Sequence, residues 1–365
     1  MEFIRVEDCC EILDSQRKPV IESERVPGMY PYYGANGIQG TINQYIFNDK
    51  LVLVAEDGGH FGSKIKPIAY LVNGKCWVNN HAHVLRAKKG FLAEYICYSL
   101  MFYKVEGYIN GATRQKLTQA ALRKLIIPKR SLEYQKAIVD RLDLVKCIIE
   151  KKQNIINELD LLIKSRFVEL FGDVVLNTLN WPLVKLSAIA EYRIGLTYKP
   201  EAVSSSGIAV LRSGNIQNSQ LCYEDTIYVN SKVDPKLLLK KNDILMCARN
   251  GSQSLVGKVA LIENDISNTT YGAFMMAISS KYYVYLFEYF RSQAFRRLIS
   301  VGSTTTINQV TTRMLNSIVI PLPDLDTINR FALYHSQINK LKSDVQKSID
   351  ETQLLMDSLM QEYFG

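Results

Sequence analysis

The residues best suited to chemistry in this sequence are few and scattered. Of four histidines (His60, His81, His83 and His335), two are separated by one residue. A spacing of two puts His81 and His83 on one face of a strand, as two metal ligands would require. No third ligand cluster accompanies them, so a structural or recognition role is the stronger expectation. Gly251 to Lys258 (Gly-Ser-Gln-Ser-Leu-Val-Gly-Lys) resembles a phosphate loop. It has one residue too many between its glycines, and Val259 stands where a magnesium-binding Ser or Thr belongs. Glu56-Asp57 would suit a nuclease carboxylate pair. A Gly-x-Ser-x-Gly elbow, a dinucleotide fingerprint and an Asn/Asp-Pro-Pro-aromatic motif are all absent.

What remains is a chemistry of recognition. Tyr30 to Gly40 (Tyr-Pro-Tyr-Tyr-Gly-Ala-Asn-Gly-Ile-Gln-Gly) mixes aromatics, amides and flexible turns. Thr113-Arg114-Gln115-Lys116 adds two cations and an amide, and Arg249-Asn250-Gly251-Ser252-Gln253 does the same later. Arg and Lys suit phosphates and guanine, whereas Asn and Gln pair bidentately with adenine. Basic residues outnumber acidic ones 44 to 36, a net charge of +8. That excess is compatible with a polyanionic partner without requiring one.

The elements that must position these residues follow a duplication. Leu125-Ile126-Ile127-Pro128 matches Ile318-Val319-Ile320-Pro321, and Glu169-Leu170-Phe171-Gly172 matches Glu362-Tyr363-Phe364-Gly365. Both pairs are displaced by 193 residues (128 to 321, 172 to 365). In the same register Ala55 falls on Ala248, so Arg249-Asn250 replace Glu56-Asp57 and the shared architecture does not require acid there. Gly111 and Gly302 open similar turns, and Phe3-Ile4-Arg5-Val6 resembles Leu183-Val184-Lys185-Leu186 after a shift. The expected order is a sheet-rich domain over 1–128, a helix over 129–171, a linker over 172–181, a second domain over 182–321 and a second helix over 322–365.

Leu142, Val145, Ile149, Lys152, Ile156, Leu159 and Ile163 follow alternating three- and four-residue steps, a heptad seam with one Lys in it. The second helix carries Phe331, Ile338, Leu341, Val345, Ile349, Leu355 and Leu359. At roughly 60 Å each, neither stripe can be buried alone, so the helices are expected to pack on each other as an antiparallel coiled coil. The domains contain short β-prone runs, Leu51-Val52-Leu53-Val54 and Ile244-Leu245-Met246-Cys247 among them, between turn residues. The fold class is therefore α+β with a pseudo-twofold internal repeat.

Seven cysteines without a Cys-x-x-Cys predict buried free thiols rather than a disulfide framework or zinc ribbon. The N-terminus lacks a signal-peptide pattern and no apolar run is long enough to span a bilayer, so a soluble, cytoplasmic chain is expected.

At Tyr32 to Gly37, Trp77 to Leu85, Gly111 to Leu117, Ile208 to Gln217, Asp243-Ile244-Leu245, Gly302-Ser303-Thr304 and Ile318 to Pro323, the sequence resembles the specificity subunit of Type I restriction–modification systems. The resemblance covers essentially the whole chain. It implies two target-recognition domains, each reading one half of a split, asymmetric site in double-stranded DNA, with paired helices setting the unread spacer. It also implies two methyltransferase subunits docked on the helices and a translocating restriction subunit. S-adenosylmethionine, ATP and magnesium would then belong to those partners, with no cofactor, catalytic residue or metal in this chain. The second half has Asn268-Thr269-Thr270-Tyr271-Gly272 in place of Asn79-Asn80-His81-Ala82-His83, so contacts there do not transfer between halves.

On this reading the candidate DNA contacts are Tyr33, Asn36, Lys64, His81, His83, Arg114 and Lys116 in the first half. In the second they are Arg212, Asn215, Gln217, Arg249, Asn250, Lys258, Thr305 and Asn308. The candidate helix-pair interface is Leu142, Val145, Ile149, Ile156, Leu159, Ile338, Leu341, Val345 and Ile349. The alternatives are a specificity subunit of another restriction class (Type IIB or IIG-like), a nuclease acting alone, and a coiled-coil adaptor that binds protein.

Overall fold

The computed structural model describes residues 2–111, 115–301 and 308–365. Arg114 and Thr305 lie outside the described residues, as do the turn residues 112–114 and 302–304. The chain divides into two compact units, Met1–Asn154 with Gln346–Gly365, and Ile155–Val345. Each unit combines a sheet-bearing segment with a stretch of both long helices.

In the first unit six strands lie side by side in the order 10–12, 82–87, 47–55, 69–78, 30–34 and 37–42. The apolar run Leu51 to Ala55 is fully buried because both faces of its strand are covered. Val52 and Val54 face the helix Ala93–Met101 with Tyr95, Ile96 and Leu100. Leu51 and Leu53 face the opposite way, onto Val72, Cys76 and Val84. The alternation is the two-residue period of a strand. In the second unit the strand Ile244–Cys247 repeats it. Ile244 and Met246 pack with the helix Tyr283–Arg291 through Tyr285, while Leu245 and Cys247 pack with Leu211 and Tyr271.

The displacement of 193 recurs in the elements. The strands Ile126–Pro128 and Val319–Pro321, the short helices Gln119–Lys124 and Thr312–Ser317, and the long helices Leu132–Phe171 and Leu325–Phe364 all share it. Contacts are duplicated too. Tyr95 donates its hydroxyl to the Pro128 carbonyl at 2.8 Å, and Tyr285 donates to that of Pro321 at 2.5 Å. Thr118 and Thr311 each accept a backbone N–H at the start of the short helix.

The long helices run uninterrupted for 40 residues each because neither contains Pro or Gly. Ser131 and Asp324, again 193 apart, accept the N–H of Tyr134 and Thr327 and cap their starts. Gly172, at φ 71°, ends the first helix in the left-handed conformation that favours glycine.

Within each unit the helix stretches run antiparallel. In the first unit Arg141 donates to the Tyr363 hydroxyl at 2.9 Å. Eleven residues later Lys152 donates to the Ser348 hydroxyl at 2.8 Å and the Thr352 hydroxyl at 2.7 Å. In the second, Asp160 pairs with Lys342 at 2.7 Å, and Phe167 lies edge-on to Phe331 with centroids 5.6 Å apart. Leu142 and Val145 are buried, while Ile149, Ile156 and Leu159 are partly buried.

The seam of the second helix differs from expectation. Leu341 and Leu355 are exposed, at 51% and 50%. The inward positions are Phe331, His335, Ile338, Lys342, Val345, Ile349, Thr352 and Met356, all buried or partly buried. Their steps alternate four and three. His335, Lys342 and Thr352 are polar, so a reading that seeks only apolar residues slides onto the neighbouring leucines. The cysteines are all free, but Cys147 is exposed and Cys222 half-buried, which departs from seven buried thiols. Among the described residues no helix is long and apolar enough to cross a membrane.

Candidate nucleic-acid interface

One edge of the first unit gathers the turn between strands 30–34 and 37–42, the segment after Ala55, the turn before Ala82 and the strand Lys116–Leu117. Asn36 donates its side-chain amide to the Gly58 carbonyl at 3.0 Å. Asp57 holds the His81 ring at 2.7 Å and pairs through its backbone with Lys116. Lys116 reaches Glu56 at 2.9 Å with about half of its side chain exposed. Asn36, His81 and Lys116 therefore share one polar edge, held by backbone and carboxylate partners.

Beneath that edge lies a buried ionic network. His83 is fully buried, its Nδ1 2.6 Å from Asp14 and its Nε2 2.7 Å from the Leu117 carbonyl. Arg17 bonds Glu56 at 2.6 Å and the Ala82 carbonyl at 2.7 Å. Burial raises the Asp14 carboxyl, but the hydrogen bond and charge of His83, with bonds from Gln119 and the Val84 N–H, outweigh it and leave the group below the usual carboxylate range. Burial likewise raises Glu56, and the bonds from Arg17 and Lys116 carry it the other way, to a net lowering. Asp14, Glu56 and His83 are close enough together to hold a cation. The carboxylate lone pairs are already taken by Arg17, Lys116, His83, Gln119 and the Val84 N–H, and His83 Nε2 donates to the Leu117 carbonyl, so the cluster reads as a closed ion-pair network that pins the segment leading into Lys116.

The equivalent edge of the second unit has different chemistry. Arg249 is exposed, lies over the Phe274 ring at 5.3 Å and pairs through its backbone with Gln309. Asn250 donates to the Ser213 hydroxyl at 3.1 Å, and Asn308 donates to the Gly251 carbonyl at 3.4 Å. Arg212 is exposed, with a bond to the Asp225 carbonyl at 3.1 Å, and Gln217 is exposed nearby. Here Arg249 and Asn250 stand where Glu56 and Asp57 stand in the first unit.

Two candidates are withdrawn from this surface. His83 does not share a face with His81, because the strand begins at Ala82 and leaves His81 in the preceding turn. Asn215 is 2% exposed and spends its side-chain N–H groups on the Cys222 and Glu224 carbonyls and the Thr226 hydroxyl. Tyr33 is half-buried with its ring 5.9 Å from Tyr70, and burial pushes its hydroxyl pKa up. Lys64 is exposed between strands 47–55 and 69–78, and Lys258 is half-buried just before the strand Val259–Leu261. Arg17 and Asp14 escaped the sequence reading because their partners are distant in the chain, and Glu56, read there as half of a carboxylate pair, is instead an ion-pair partner of Arg17 and Lys116. Gln39 and Asn79 lay inside quoted runs, yet only the pairing of strands brings them together.

Comparisons with known proteins agree with this architecture. The family model described as the Type I restriction modification DNA specificity domain matches residues 1–161 and 179–356. A Haemophilus influenzae protein named as a type I restriction enzyme specificity subunit is 36% identical over 143 residues, covering 39% of this chain and 37% of that protein. The type I restriction enzyme MjaVIII specificity subunit of Methanocaldococcus jannaschii is 21% identical, covering 98% of this chain and 91% of that one. Among solved structures, the S subunit of a type I restriction–modification system from M. genitalium has the same fold, with a TM-score of 0.57 at 15% identity over 100% of this chain and 96% of that one.

Proposed function

Because this chain belongs to the Type I restriction–modification DNA specificity family, we propose that it reads a bipartite, asymmetric DNA site and carries no reaction itself. Each unit reads one half. The observation that carries the reading is a duplicated scaffold with unlike edges. The same framework presents Asn36, His81 and Lys116 in the first unit and Arg212, Arg249 and Asn308 in the second. Cations at such edges contact phosphates and guanine, and amides read adenine, so unlike edges specify unlike half-sites.

The partners are two methyltransferase subunits docked on the long helices, with restriction subunits joining for cleavage. S-adenosylmethionine, ATP and magnesium act in those subunits. Supporting this, exposed apolar residues recur on the helices at the repeat distance: Ile148 with Leu341, Leu161 with Leu354, and Leu162 with Leu355. The first unit carries Ile148, Leu354 and Leu355, and the second carries their equivalents. Two like patches suit two copies of one partner.

The test is binding of the purified chain, with and without its methyltransferase, to duplex DNA across a salt series, beside incubation with plasmid and magnesium. A linear fall of log affinity with log salt is expected, with intact plasmid. Salt-independent or absent binding by both preparations, or cleavage by the chain alone, would overturn the proposal.

A further inference from the structure

A cleft of about 340 Å³ opens on the first unit beside Arg25, Tyr32, Gln39, Asn79, Asn80 and His81. Three devices aim one side chain into its lining. Tyr33 pairs with Ile38 and Tyr32 with Gly40, so Gln39 is the extra residue of a β-bulge, which turns its side chain out of the ordinary strand alternation. Gly34 leaves open the space that the Gln39 amide fills, since a Cβ on Gly34 would collide with that amide. Asn79, 3% exposed, donates its Nδ2 to Gln39 Oε1 at 3.0 Å.

The last bond fixes which way the amide of Gln39 faces. The backbone N–H of His81 donates to Asn79 Oδ1 at 2.8 Å, so the Asn79 amide nitrogen must face Gln39. Gln39 then answers with its oxygen. Its Nε2 keeps both hydrogens, without a partner among the described residues, and its Oε1 keeps one lone pair. Gln39 itself is exposed. The surface thus presents a donor beside an acceptor in fixed order.

We propose that Gln39, oriented by Asn79 and seated over Gly34, is a specificity-determining residue that reads an adenine in the half-site of the first unit. Adenine offers the complementary pair in the major groove, N7 as acceptor and N6 as donor. Guanine offers two acceptors, of which O6 would oppose Gln39 Oε1. The inference rests on the DNA-reading function proposed above.

The test is selection from a pool of randomised duplexes by the full-length chain, purified with the subunits that accompany it. Gln39→Glu removes the outward donor at an exposed position while still accepting from Asn79. It is expected to lose adenine preference at one position by at least roughly tenfold, moving toward cytosine, whose N4 donates to a carboxylate. Gly34→Ala, whose Cβ would meet the Gln39 amide first, should relax the same position. A wild-type chain that enriches a motif which Gln39→Glu leaves unchanged, or weakens equally at every position, overturns this inference alone. A wild-type preparation that enriches no sequence overturns the DNA-reading function beneath it.

Discussion

At the scale of single residues, burial separates the candidates that hold the fold from those that are free to touch a ligand. His83→Ala leaves the Asp14 carboxylate buried without its main partner, a loss of about 3–5 kcal/mol, which thermal melting will show as a large drop in Tm. The same network sets an acid limit. Asp14 and Glu56 are both lowered in the fold from ordinary values of 3.8 and 4.5. Their contribution is complete above those unfolded values and is lost as pH falls through the lower folded ones. Stability should therefore fall steeply below about pH 4, and the double variant Asp14→Asn, Glu56→Gln should flatten that part of the Tm–pH curve. Arg249→Ala, at an exposed position, should leave folding stability within about 0.5 kcal/mol of wild type while weakening DNA binding and reducing the salt slope by about one. An unchanged slope in a titration would remove Arg249 from the contacts. Residue types were legible at this scale and their neighbours were not. A spacing of two implies a shared face only if both residues lie within a strand, and nothing local told that the strand would begin at Ala82.

At the scale of elements, the repeat distance was the strongest signal, because each long helix is closed by the same kinds of boundary residue: Pro and a cap before it, Phe-Gly after it. The seam of the first helix was readable through one lysine. That of the second was not, since polar His335, Lys342 and Thr352 occupy inward positions where ion pairs and hydroxyl contacts replace apolar packing. Val145→Asp places a charge at a position only 7% exposed and should destabilise the chain by about 3 kcal/mol, measurable by denaturant unfolding. Leu341→Asp, on the exposed side, should change stability by less than about 0.5 kcal/mol. If Leu341→Asp destabilises as much as Val145→Asp or more, the inward and outward positions have been misassigned. The sheets were legible as short apolar runs, but strand order and the bulge at Gln39 depend on pairing between distant segments, which no local period encodes.

At the scale of the whole molecule, the chain is two units of one design, each completed by part of both long helices. The exposed apolar positions repeated at 193 residues are neutral to the fold of the chain and costly to leave in water, so they are expected to matter for assembly alone. Ile148→Asp together with Leu341→Asp should reduce the number of methyltransferase subunits that co-purify, without lowering Tm; unchanged stoichiometry by mass measurement would place the docking surface elsewhere. On the proposed function, this chain chooses where partner subunits act. The most direct measurement is the methylation map of host DNA with and without its gene. Adenine methylation at one motif, made of two unlike blocks separated by an unread spacer, is expected to disappear on deletion and return on complementation. A map unchanged by deletion, or loss confined to a single uninterrupted motif, would contradict it.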